Sequence, residues 1–171
     1  MAGQALHRIA RAVGEGPALA YRAPRGVDAY VLEVAAAEPL QLVGIEREGV
    51  EAGFVKDLAR RMDVPASRLF AILGVPRATA EKKASAKERI GGIGGVAALG
   101  LIRLLGLAQQ IAAASTHPDA AKLDVPRWLG QWIEQPQPAL GGRRPADLLD
   151  TPTGADMVAR LLGSMASGTY Q

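Results

Sequence analysis

The chain has no cysteine among its 171 residues, which excludes disulfides, thiolate metal sites and cysteine nucleophiles. That absence fits a reducing, cytoplasmic setting. Histidine is almost missing as well: His7 and His117 are the only two, and neither stands in a pattern that would pair it with a nucleophile or a metal. Aromatic residues make up only 4%, so a core must be built from aliphatic side chains. Alanine and leucine dominate, which favours helix over sheet. The expected fold is all-α.

Other catalytic patterns are also absent. Ser164 and Ser167 lie in "GSMASG", without the strand-turn-helix setting of a nucleophile elbow. Asp147, Asp150 and Asp156 are spaced for helix capping and first-turn charge, not for a calcium loop. The run Gly92-x-Gly94-x-x-Ala97 mimics a dinucleotide fingerprint, but no strand precedes it and no acid lies about 20 residues on. Gly141-Gly142-Arg143-Arg144 lacks the Lys-Ser/Thr pair of a phosphate-binding loop. No cofactor or metal is implied, and the sequence describes a binder, not an enzyme.

The N-terminal stretch "MAGQALHRIARAVGEGP" is too interrupted by charge to read as a secretory signal. One apolar run, Ile93 to Ala114, is long enough to suggest a membrane span. Arg103 near its centre and the pair Gln109-Gln110 would be costly in lipid. A buried helix, or a dimer seam, is the better reading, with Leu101, Leu104, Leu105, Ala108, Ile111 and Ala112 as its stripe.

Charge is small in sum and uneven in place. The net value is +3, yet residues 56–89 hold nine basic side chains against four acids, while residues 91–171 balance at six against six. A local excess of five positive charges points to an anionic partner or to a solvated helix face.

Residues 1–48 read as a variable, partly ordered arm with room for one helix or a short strand, because glycine and proline interrupt its apolar runs. From Glu51 the pattern is helical: Phe54, Val55, Leu58, Ala59 and Met62 share one face. Pro65 opens a second helix that ends at Gly74, and Pro76 precedes a third, Arg77 to about Ala84. Residues 49–90 therefore form a helix-turn-helix region. Two registers are open. If the second helix reads DNA, only Ser67 and Arg68 are polar enough to meet bases. If the third reads, Arg77, Thr79, Lys82 and Lys83 line a polar, basic helix, and this register is preferred. Its cost is Phe70, where a small residue normally lets the helices close. The candidate DNA-binding residues are Arg68, Arg77, Thr79, Lys82 and Lys83.

After the apolar helix (residues 91–115), residues 116–171 begin a second region. Asp124 is a fitting N-cap for a helix carrying Trp128, Leu129, Trp132 and Ile133 on one face. "PALGGRRPADLLDTPTG" then leads to a last helix, Thr153 to about Met165, striped by Met157, Val158, Leu161 and Leu162.

The segment Trp132 to Gln171 resembles the C-terminal toxin-binding domain of the Xre/MbcA/ParS antitoxins. The matching features are an aromatic–aliphatic pair, a proline-bearing loop, Leu-Gly-Gly-x-x-Pro, Leu-Leu, a Thr-x-x-Gly helix start and a short tail after Gly168. "ILGVPRATAEKK" resembles the helix-turn-helix of the same family. The resemblance covers residues 51–171. It departs at Phe70 and at the glycine-rich Gly91–Gly95, where a polar linker is usual. It implies a bacterial type II toxin–antitoxin pair whose toxin has a RES domain and consumes NAD, by degradation or by ADP-ribosylation of a target. The antitoxin would cover the toxin's cleft and repress its own operon. Expected partners are that toxin, operator DNA and, in a homodimer or hetero-oligomer, further chains, with no membrane. The candidate toxin-binding residues are Arg143, Arg144, Met165, Gly168, Thr169, Tyr170 and Gln171. The alternative is a helix-turn-helix regulator whose C-terminal region only dimerises.

Overall fold

The computed structural model describes residues 19–167. Helices α1 (Val27–Ala35) and α2 (Pro39–Glu48) come first, then strand β1 (Val50–Glu51), α3 (Ala52–Arg61), α4 (Ala66–Ile72), α5 (Arg77–Ser85) and strand β2 (Arg89–Ile90). The long α6 (Gly92–Ala114), α7 (Val125–Trp132) and α8 (Pro152–Ala166) complete the chain. The fold is mainly α, as the composition requires. The two short strands pair antiparallel, Val50 with Ile90 and Glu51 with Arg89. They tie the start of α3 to the end of α5.

Helices α3, α4 and α5 share one terminating device. Each ends on a left-handed residue, Asp63 (φ 58°), Gly74 (φ 68°) or Lys87 (φ 55°). The next amide bonds five residues back in the Schellman manner: Val64 to Ala59, Val75 to Phe70 and Glu88 to Lys83. The tight turns drive Val64 and Val75 into the core. Phe54, Val55, Leu58, Ala59 and Met62 are all fully buried, the face read from their spacing.

The region before residue 49 differs from the expected arm. Val27, Tyr30, Val31 and Val34 follow helical spacing along α1 and are buried against the rest of the molecule. Gly26 and Pro39 bound α1 and α2; they do not interrupt them. Tyr21, Tyr30 and Phe54 meet edge to face with centroids 4.8–5.7 Å apart. The Tyr21 hydroxyl donates to Asp57 at 2.6 Å; burial first, and this bond second, push its pKa up to about 12.

Helix α6 is the element around which the others pack. It touches α1, α2, α7 and α8 and both strands, and Leu99, Leu101, Ile102, Leu104 and Leu105 are buried along it while Arg103 is exposed. Its length and mean hydropathy of 1.6 would suit a membrane span, but half of that window is buried inside this molecule. The helix starts at Gly92, at the head of the apolar run, and its glycines are helical contact points. A Cβ on Gly95 would lie 2.4 Å from the Ile90 carbonyl oxygen, so only glycine lets the helix settle on β2.

Candidate functional site

The loop between α7 and α8 is built on backbone bonds. The Gln137 amide donates to the Arg143 carbonyl at 3.0 Å, and the Gly142 amide returns to the Gln137 carbonyl at 3.0 Å. Gly141 and Gly142 make this closure with φ of 65° and 78°, a region open to glycine without a Cβ penalty. Leu140 and Leu149 anchor the two ends in the core, and the Ala146 amide donates to Ile133 at 2.8 Å. Thr151 caps α8 through its hydroxyl, which accepts from the Gly154 amide at 3.1 Å. The glycines thus shape a turn.

Arg143 and Arg144 have different fates on that turn. Arg143 is exposed and, among the described residues, makes no ion pair. Arg144 lies back on the protein. It donates two bonds to Asp147, at 3.1 and 2.7 Å, and a third to Glu134 at 3.4 Å. Glu134 also receives a bidentate pair from Arg68 of α4, at 2.7 and 3.0 Å. The chain Arg68–Glu134–Arg144–Asp147 alternates in sign and joins the helix-turn-helix region to the loop. Arg68 holds the Glu134 carboxyl below its ordinary range, and Arg144 does the same for Asp147. The two arginines expected to act together are thus placed differently: Arg144 is held by Asp147 and Glu134, and Arg143 stands exposed. Arg68, expected among the DNA contacts, is engaged in this contact, where Glu134 faces it across the interface.

Two further pairs clamp the same interface, Arg61 to Asp124 at 2.6 Å and Arg127 to Asp63 at 3.0 Å. Arg61 also bonds Asp28 on α1. The basic block of residues 56–89 is therefore largely neutralised in space. Six of its nine cations are paired: Arg60, Arg61, Arg68, Arg77, Lys83 and Arg89. Several of the acids lie far off in the sequence, at Asp28, Glu48, Asp124 and Glu134.

On α5, Thr79 and Lys82 are exposed, Arg77 pairs with Glu81 at 2.7 Å and Lys83 with Glu88 at 3.3 Å. Phe70 is buried. It sits with Ala80 at the floor of a cleft of about 210 Å³ whose rim carries Lys56, Ser67 and Arg77. Lys56 was not singled out from the sequence, since helical spacing alone does not show which α3 residue borders α5. Met165 is 39% exposed at the end of α8. Gly168, Thr169, Tyr170 and Gln171 lie outside the described residues. Among the described residues, no cluster of three or more His, Asp or Glu side chains is arranged to hold a metal.

Residues 120–168 match the family model for the antitoxin Xre/MbcA/ParS C-terminal toxin-binding domain. The Prs ADP-ribosylating antitoxin of Sphingobium sp. (strain YBL2) is 34% identical over 134 residues, covering 78% of this chain and 83% of the relative. The chain belongs to the Xre/MbcA/ParS antitoxin family. The matched domain holds α7, the glycine turn and α8, so in this antitoxin the Glu134 network joins the toxin-binding domain to the three helices before it.

Proposed function

We propose that this antitoxin neutralises a cognate RES-type, NAD-consuming toxin by covering its active-site cleft, and represses its own operon through α4 and α5. The toxin arm is carried by one observation. The segment matched as a toxin-binding domain holds a buttressed turn that spends Arg144 internally and leaves Arg143 exposed, with no ion pair among the described residues. An exposed guanidinium on a rigid turn is suited to an acidic rim, whose carboxylates accept its paired N–H donors. The tail, with Tyr170, follows α8 directly and supplies an aromatic anchor for a cleft. The name of the Sphingobium relative links the antitoxin role to ADP-ribosylation, in keeping with an NAD-consuming partner. The antitoxin itself acts by binding.

Co-expression with the neighbouring toxin gene tests this reading, with growth and cellular NAD as readouts. The full chain restores both, while deletion of Thr169–Gln171 or the change Arg143→Glu reduces protection. A neighbouring product that leaves NAD untouched overturns the NAD reading, and one that does not bind the chain overturns the toxin arm. For the operator, Lys82→Ala lowers the slope of log affinity against log salt by about one, the loss of one phosphate contact. An unchanged slope makes α5 a solvated helix.

A further inference from the structure

The end of α8, the start of α7 and the last turns of α6 enclose an apolar groove of about 240 Å³. Ile111, Ala112, Leu123, Trp128, Leu162 and Met165 form its walls. Ser115 is the one polar residue among those lining it. Leu123 is 43% and Met165 39% exposed, although large aliphatic side chains are stabilised by leaving water. We infer that this groove is a docking site for an apolar anchor side chain of the toxin, and that the toxin-binding surface therefore extends onto α6, outside the matched domain.

The occupant follows from three features. The groove is smaller than the roughly 300 Å³ at which small-molecule sites begin, which suits one bulky side chain better than a metabolite. Its lining carries no charge, so the entering group is apolar and uncharged. Seven of its eleven lining residues belong to the segment matched as toxin-binding, residues 120–168, so it is continuous with that surface. The other four, Ala108, Ile111, Ala112 and Ser115, come from α6 and its C-cap. A buried apolar anchor ringed by polar contacts is how protein interfaces concentrate their affinity.

This inference rests on the toxin-binding reading, and the experiment separates the two. Titration calorimetry compares binding of the purified toxin by the full chain and by three variants. Ser115→Trp fills the groove from the α6 side, and Leu123→Asp places a charge at its mouth. Leu32→Asp is the control, since Leu32 is 54% exposed on α1 and does not line the groove. All three positions are exposed, and matched melting curves confirm that the fold is kept. The groove variants weaken binding at least tenfold while the control stays within twofold. Groove variants that bind within twofold of the unaltered chain overturn the inference. So does a red shift of tryptophan emission when residues 168–171 are deleted from the free chain, because the chain's own end would then fill the groove. No binding by the unaltered chain fails the proposed function itself, before any variant is compared.

Discussion

Gly130 and Gly163 both sit inside helices of the toxin-binding domain, and the structure assigns opposite signs to the same substitution. At Gly130, in α7, an added Cβ would lie 2.2 Å from the Met62 carbonyl oxygen and 3.1 Å from a Val64 methyl. Normal contact needs about 3.5 Å, so α7 must move off the α3–α4 turn by roughly 1 Å. The opposing atom is backbone in a fully buried residue, and no rotamer change relieves it. Overpacking of this kind costs about 1–3 kcal/mol. Alanine's better helix propensity returns about 1 kcal/mol. With the backbone carbonyl setting the cost near the upper end, Gly130→Ala is destabilising by about 2 kcal/mol, or about 4–8 °C in Tm for a chain of this length. At Gly163, in α8, nothing lies within 4 Å of the added Cβ. There the propensity gain stands alone, and Gly163→Ala raises Tm by about 1–4 °C. Circular dichroism melts of the two variants decide the matter. A Gly130→Ala protein as stable as its parent would refute the close approach of α7 to α3, and with it the interface that carries the Glu134 network.

Thr151→Ala removes the cap of α8 and costs about 1 kcal/mol, read as a drop of about 2–4 °C in Tm; no change would mean that another group satisfies the Gly154 amide. Glu134→Gln leaves Arg68 and Arg144 facing a neutral amide. Both arginines are partly solvated, so the loss is about 1 kcal/mol, and urea titration should show a lower midpoint. A midpoint equal to the parent's would make the network decorative. Acid should destabilise the parent, because Glu134 and Asp124 have folded pKa values held below 4.5 and 3.8 by Arg68 and Arg61. The unfolded chain then binds more protons than the folded one, so this stabilisation is complete above about pH 4.5 and is lost as pH falls through the folded values. The urea midpoint is flat from pH 7 to 5.5 and falls below pH 4.5, more gently in Glu134→Gln. Identical profiles for parent and variant would exclude Glu134 from the effect.

The three helices α3 to α5 were legible because apolar spacing and Pro65, Gly74 and Pro76 mark them locally. The Leu-Gly-Gly-x-x-Pro turn and the Thr151 cap were legible for the same reason: their geometry lies within a few residues. Helix α1 was not, although Val27, Tyr30, Val31 and Val34 have helical spacing, because the glycines and prolines around them outweighed a stripe of four. The basic block misled through distance. Arg68 meets Glu134 across 66 residues and Arg61 meets Asp124 across 63, and no local signal announces either partner. The apolar groove combines three segments separated in sequence, so no single stretch of chain displays it.

The place of α6 bears on how such genes can be rearranged. One face of this helix packs on α1 and α2, while other positions carry α7 and α8. A recombination joint at residue 115 would give one product lacking half of its partners and another lacking its support, each with leucines newly exposed to water. The three helices α3 to α5 and the matched C-terminal domain therefore depend on one shared scaffold. On the function proposed above, a new partner toxin would be met by point changes on the exposed surface of this scaffold, not by grafting a new C-terminal module.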